Sequence, residues 1–295
     1  SPSSPPPVGR FAPSPSGSLH LGNLRTALLA WCAARRDGGT FLVRMEDLTT
    51  GAVAAREAEQ LADLGALGLG HDGDVVRQSD RRAHYDAAID ALIADGRTYE
   101  CFCSRREIRE AAAAPHVPAV GAPDDGAYPG TCRELTDAER ARRRAEGRVP
   151  ALRLRADDAV VAAHDRRLGS LELEVDDLVL RRADGVAAYH LAVVVDDALQ
   201  GVTQVVRGDD LWASTPRQVL LQQLLGLPTP AYLHVPLVLG PDGARLAKRH
   251  GSVTLADRLA LGEEVVDVLG LLAESLGWAG PGERLDATAV LERFD

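Results

Sequence analysis

Val8-Gly9-Arg10-Phe11-Ala12-Pro13-Ser14-Pro15-Ser16-Gly17-Ser18-Leu19-His20-Leu21-Gly22-Asn23 is the stretch on which the reading of this chain turns. Pro13, Pro15 and Gly17 forbid helix between Ala12 and Gly17, whereas Leu21, Leu24, Leu28 and Trp31 recur at helical spacing. The sequence therefore predicts a strand end, a stiff loop and a helix N-terminus. The first amides of such a helix lack intrahelical acceptors and the helix dipole adds partial positive charge, so the position favours a phosphate. His20 can donate to that phosphate, and Gly22 lets a flat base or ribose approach the backbone.

Outward from this stretch, 295 residues with 45% apolar and 26% charged side chains suffice for one large or two modest domains. No apolar run approaches the ~20 residues of a membrane span, and the opening Ser-Pro-Ser-Ser-Pro-Pro-Pro has neither the basic start nor the apolar segment of a secretory signal. We expect a cytoplasmic protein, without membrane association or an obligate protein partner, and a disordered leader over 1–7. Cys32, Cys101, Cys103 and Cys132 are too few and too clustered for a disulfide scaffold, which points to thiols or a metal. The net charge of −10 argues against a nucleic-acid partner only as a sum. Between Cys101 and Arg155 eleven Arg face eight Asp and Glu, with Arg140, Arg142, Arg143 and Arg144 together, the footprint of a phosphate-backbone surface. Of the 33 basic residues a single one, Lys248, is lysine, which suggests a compact mobile charge at that place.

Along the chain, the first helix ends near Asp37-Gly38-Gly39, and Thr40-Phe-Leu-Val-Arg-Met-Glu46-Asp47 reads as the second parallel strand. In an open doubly wound sheet ligands lie beyond the carboxyl ends of the strands, which places Glu46 and Asp47 beside Arg10 and His20. Helical patterns follow over 53–67 and 80–94. Cys101-x-Cys103 and Tyr128-Pro-Gly-Thr-Cys132 then supply three thiolates, and a tetrahedral zinc site needs a fourth donor, for which Tyr128 and His116 are the nearby candidates. Short alternating runs at 151–155, 171–175 and 177–182 predict antiparallel strands. The apolar runs at 188–197 and 201–207 predict buried strands that resume the sheet, with Tyr189 and Arg207 near their functional ends. Ser214-Thr215-Pro216 starts a helix, His234 opens a strand leading through Pro-Asp-Gly to Arg245-Leu246-Ala247-Lys248-Arg249, and a last helix covers 265–276.

His20-Leu21-Gly22-Asn23 resembles the His-x-Gly-His signature of class I aminoacyl-tRNA synthetases, with Asn23 in place of the second histidine. The run from Arg10 to Gly22 is similar to the glutamyl branch, and Arg245-Leu-Ala-Lys-Arg resembles the second signature in its glutamyl form, Lys-Leu-Ser-Lys-Arg. The truncated glutamyl-Q tRNA(Asp) synthetases within this family carry zinc on a Cys-x-Cys and Tyr-x-x-x-Cys set, which the resemblance places on Cys101, Cys103, Tyr128 and Cys132. No segment resembles the large anticodon-binding region of full glutamyl-tRNA synthetases. Val193 stands where those enzymes usually place an Asn, and the truncated branch tends to carry an apolar residue at that place.

The resemblance implies an α/β fold: a Rossmann-type parallel sheet split into halves at 8–98 and 187–251, a zinc-bearing α+β insertion at 99–186, and a helical C-terminal part at 252–295. It implies ATP-dependent activation of L-glutamate, with Mg2+, followed by transfer to the queuosine base of tRNA(Asp). His20, Gly22, Asn23 and Lys248 would bind ATP, with His20, Asn23 and Lys248 stabilising charge on the phosphates. Arg10, Phe11, Ala12, Pro13, Ser14, Glu46, Tyr189 and Arg207 match the residues that contact glutamate. The chemistry agrees, because guanidinium forks grip carboxylates bidentately and a glutamate side chain suits an ammonium. Two other readings stand beside this one, a minimal synthetase charging the 3′ end of tRNA(Glu) and a non-catalytic paralogue that binds tRNA or protein.

Overall fold

The computed structural model describes residues 5–49, 54–112, 128–238 and 253–294. In chain order these form β1 (Val8–Phe11), α1 (Leu21–Arg35), β2 (Thr40–Met45), α2 (Ala54–Ala66), β3 (Val76–Arg77), α3 (Arg82–Ala94), β4 (Thr98–Cys101), α4 (Arg105–Ala112) and α5 (Asp137–Ala145). There follow β5 (Ala151–Leu154), β6 (Val160–Asp165), β7 (Gly169–Glu174), β8 (Val179–Arg181), α6 (Tyr189–Leu199), β9 (Gln204–Gly208), α7 (Thr215–Leu224), β10 (Ala231–Val235), α8 (Leu255–Ala260), α9 (Val265–Glu274) and α10 (Ala287–Glu292). The chain divides into two compact units, one of 1–80, 201–210 and 230–295, the other of 81–200 and 211–229.

In the first unit the strands run parallel in the order β3-β2-β1-β9-β10. Numbered within the unit this is 3-2-1-4-5, so the order reverses between β1 and β9, where a doubly wound sheet opens its ligand crevice. Leu24, Leu28 and Trp31 of α1 join Phe41, Val43, Met45 and Val206 in a core completed by Val268, Leu269 and Leu272 of α9. The turn from α1 into β2 depends on Gly39, where a Cβ would fall 2.1 Å from the Pro7 carbonyl oxygen. Thr40 N–H donates to that oxygen at 2.9 Å, so Pro7, read from sequence as leader, is tied to the sheet. Residues 1–4 lie outside the described part.

The second unit holds an antiparallel sheet β4-β5-β8 and a β6–β7 hairpin. The run 188–197, expected to be a strand, is instead the helix α6. All seven residues from Leu191 to Asp197 are buried, so no polar stripe betrays the 3.6-residue period that separates a helix from a buried strand. β6 went unread for a related reason. Its alternation of exposed and buried positions is carried partly by Ala162 and Ala163, which differ in burial but not in polarity. Among the described residues no helix is long and apolar enough to cross a membrane.

Candidate active site and metal centre

The carboxyl edge of the first unit gathers most of the residues that the sequence singles out. Strand pairing of Gly9 with Gln204, together with the period of two, puts Arg10 and Arg207 on one face of the sheet. Gly9 itself faces α1, where its missing Cβ would lie 3.2 Å from Ala34, so the arginine face is the opposite one. Arg44, two residues beyond the partner of Arg10, shares that face. Arg10 and Arg207 are 4% and 5% exposed, and Nη1 of Arg10 donates to the Val206 carbonyl at 3.4 Å. Two buried guanidinium groups therefore flank the reversal of strand order. Glu46, just past the end of β2, lies 3.4 Å from Arg44 Nη2 and is anchored through its N–H to the Pro13 carbonyl at 2.9 Å.

The loop after β1 is held from outside. Gln60 of α2, fully buried, donates through Nε2 to the Ser14 and Gly17 carbonyls at 2.9 and 2.7 Å. Replacing Gln60 by Leu removes both hydrogen bonds, each worth about 0.5–1.5 kcal/mol. Thermal unfolding should register this as a lower Tm; an unchanged Tm would show the clamp to be idle. Phe11 points into the core with α1, so of its atoms only the backbone is left for a ligand. Pro13 is buried, Ala12 half-buried and Ser14 exposed. Asp47 is committed to Ser79, accepting its N–H at 2.8 Å and its hydroxyl at 2.6 Å.

His20 caps α1, and Asn23 answers it. Asn23 N–H donates to His20 Nδ1 and His20 N–H to Asn23 Oδ1, each at 3.2 Å, a reciprocal capping box. With Nδ1 accepting, the proton of the neutral ring sits on Nε2. Gly22 makes room for that ring, since a Cβ there would come within 3.0 Å of His20 Nδ1 and Cε1. The asparagine that departs from the signature is thus the partner that closes the cap. Leu21 N–H donates to Val253 O at 2.7 Å, and His20 forms an antiparallel bridge with Thr254. Of the four amides that begin the helix, only that of Gly22 has no acceptor among the described residues. The expected bare N-terminus is mostly spent on the protein's own groups.

Arg245, Ala247 and Lys248 lie outside the described residues, but both flanks of their segment meet the first signature. Val238 Cβ would stand 3.5 Å from a Cβ on Gly22, and Val253 accepts from Leu21 as above. On the upstream flank Arg25 of α1, 6% exposed, donates to the Pro236 carbonyl and, at 3.3 Å, to Ser275 Oγ. Burial pulls the Arg25 pKa below its usual value, with Asp209 opposing. On the downstream flank Thr254 and Asp257 form a second capping box that starts α8. Gln60 and Arg25 escaped the sequence reading because buried polar residues on helices carry no short motif, whereas Thr254-x-x-Asp257 has the capping-box spacing and went unread.

In the second unit Tyr189 opens α6 and is 40% exposed, while Val193 is buried one turn on. The thiols of Cys101, Cys103 and Cys132 lie within 4.8 Å of one another and could hold a metal ion. Cys103 and Cys132 Sγ are 3.5 Å apart, near the roughly 3.8 Å that tetrahedral thiolates at ~2.3 Å from a metal would show. Tyr128 Oη is 3.3 Å from Cys101 Sγ and 4.0 Å from Cys103 Sγ, and it accepts the Cys132 N–H at 2.9 Å. His116 lies outside the described residues. Hydrogen bonds from Cys103 and Cys132, helped by Arg153, hold the Cys101 thiol well below its ordinary pKa. Arg153 stacks 3.7 Å from the centre of the Tyr128 ring, and Asp176 accepts the Tyr128 N–H at 3.1 Å and the Arg217 Nε–H at 2.6 Å. The donor set, three sulfurs and a phenol with their orienting partners in place, fits a closed structural site.

The family of class I (E and Q) tRNA synthetase catalytic domains matches residues 8–272. The chain is 61% identical over 270 residues to the glutamyl-Q tRNA(Asp) synthetase of Nocardia farcinica, covering 92% of this chain and 85% of that one. This chain belongs to the glutamyl-Q tRNA(Asp) synthetase family. A family member from Symbiobacterium thermophilum is 50% identical over 300 residues, covering 97% of this chain and 92% of its own. Beyond the glutamyl-Q tRNA(Asp) synthetase family, a glutamate tRNA ligase from Elizabethkingia meningosepticum, solved in complex with its amino acid, superposes with a TM-score of 0.80 at 27% identity. That match covers 98% of this chain and 65% of the ligase, so the chain spans just under two thirds of the ligase's length.

Proposed function

We propose that this chain activates L-glutamate with ATP and transfers the glutamyl group to the queuosine base of tRNA(Asp). The observation that carries the first half is the pair of buried arginines, Arg10 and Arg207, on one face at the strand-order reversal, with Glu46 close by and His20 at the adjoining helix start. A dicarboxylate amino acid needs two cations and an anion, and the triphosphate needs donors beside it.

Activation is an in-line attack of the amino acid carboxylate on the α-phosphorus of ATP, forming the mixed anhydride and expelling pyrophosphate. Arg10 and Arg207 hold the carboxylates, Glu46 the ammonium, and Tyr189 offers its hydroxyl for orientation. The backbone of 11–14 closes over the amino acid. His20 donates through Nε2, Asn23 through Nδ2 and Gly22 through its amide to the phosphates, and Lys248 meets the charge that builds on the leaving pyrophosphate. Magnesium enters as the counter-ion of ATP. Zinc would be held by Cys101, Cys103, Tyr128 and Cys132, where it cross-links β4 to the segment around Cys132. A cytoplasmic setting, in which four free thiols stay reduced, suits this set.

The names of the relatives support queuosine as acceptor, and the likeness to a glutamate tRNA ligase supports the 3′ end of tRNA(Glu). The acceptor assay separates them. Labelled glutamate should pass to queuosine-bearing tRNA(Asp) trimmed enzymatically of its 3′-terminal adenosine, and fail to reach the same tRNA lacking queuosine. Transfer to intact tRNA(Glu) alone would assign the other acceptor. Absence of glutamate-dependent ATP–pyrophosphate exchange in folded protein would favour a binding paralogue.

A further inference from the structure

His234 has no part in the site drawn so far, yet it is completely buried at the carboxyl end of β10, in register with Arg207 of β9. Neighbours in register put both side chains on the arginine face of the sheet. Arg207 Nε donates to His234 Nε2 at 2.9 Å. A nitrogen that accepts from a guanidinium holds its lone pair toward the cation, so the ring proton belongs on Nδ1 and the imidazole is neutral. Tyr232, two residues earlier and on the same face, stacks on His234 with ring centroids 5.9 Å apart and planes 18° from parallel. The Arg207 guanidinium carbon lies 5.2 Å from the centre of the Tyr232 ring. One ring thus accepts from the edge of the guanidinium and the other supports its face, which fixes both its position and its plane.

We propose that His234 is a positioning residue: as a neutral acceptor backed by Tyr232, it sets the plane in which Arg207 meets a carboxylate of the amino acid, and so governs amino acid affinity. The inference rests on the assignment of Arg207 to the amino acid site. An arginine on a flexible stem loses much of its freedom when it binds, whereas one already held by a neighbour's ring nitrogen does not. The fixed plane also matters for geometry, because a bidentate carboxylate contact requires the fork and the carboxylate to be coplanar.

The experiment measures KM for glutamate and KM for ATP in glutamate-dependent ATP–pyrophosphate exchange, using the full chain and four variants. His234→Phe keeps the stacking and removes the acceptor; it should raise KM for glutamate at least tenfold with KM for ATP within twofold. His234→Gln reaches as far as Nε2 with a carbonyl oxygen and should stay within threefold of the parent for both. His234→Asn stops at the reach of Nδ1 and should behave like Phe, so the Gln and Asn pair decides the matter if the Phe variant does not fold. Arg207→Ala separates the two layers of the argument. An unchanged glutamate KM in that variant removes Arg207 from the amino acid site, and the present proposal goes with it. A raised glutamate KM in Arg207→Ala, with unchanged values in His234→Phe and His234→Asn, overturns the positioning role alone. A Gln variant as impaired as Asn, with both KM values moving together, assigns His234 to the fold instead.

Discussion

Replacing Lys248 by Ala should lower the turnover of glutamate-dependent ATP–pyrophosphate exchange about a hundred- to a thousandfold, while KM for ATP changes much less. The reasoning begins at the start of α1. Three of its four leading amides are occupied by Asn23 Oδ1, Val253 O and His20 Nδ1, so the backbone offers little for a triphosphate and side chains must carry the charge. Lys248 is the lone lysine and lies five residues before Val253 in the sequence, and Val253 is hydrogen bonded to Leu21. A cation that engages pyrophosphate only as it departs stabilises the transition state more than bound ATP, hence the expected split between turnover and affinity. His20→Ala should act in the same sense, and losing the cap should cost the helix about 1 kcal/mol without unfolding the protein. Exchange near the parental rate in both variants, in folded protein, would remove these two residues from the ATP site.

Cys101→Ser carries the second large effect. The parent should contain close to one zinc per chain, and the variant close to none. Structural zinc supplies about 10–16 kcal/mol in small metal-folded peptides, so losing even about 3 kcal/mol here would lower Tm by roughly 6–12 °C in a unit of this size. The loss should be felt locally, because Tyr128 links the cluster to Asp176 and thence to Arg217 at the start of α7. A parent protein purified without zinc, with its Tm unchanged by Cys101→Ser, would dispose of zinc altogether and leave three reduced thiols around a phenol.

How much of this was legible beforehand depends on what each element shows in one dimension. The strand, proline loop and helix over 8–35 could be read because three local signals, proline, glycine and an apolar period, point the same way. The expected convergence of Arg10, Glu46 and Arg207 followed from a general rule about strand ends, and all three lie at the carboxyl edge of the first unit. The helix α6 could not be read, since burial on every side erases the periodic contrast that marks a helix. Gln60, Arg25 and His234 were hidden for another reason. Each acts through a partner 27 to 211 positions away, and a single sequence holds no trace of such pairings.

The bond from Leu21 N–H to Val253 O also has a meaning for how the molecule comes into being. A polypeptide emerges from the ribosome with its amino end first, so His20 and Asn23 are made long before residues 253 and 254 arrive to complete the contact. On the proposed reading the nucleotide grip waits for residues 253 and 254, and a chain that stops short of them has no finished cradle for ATP.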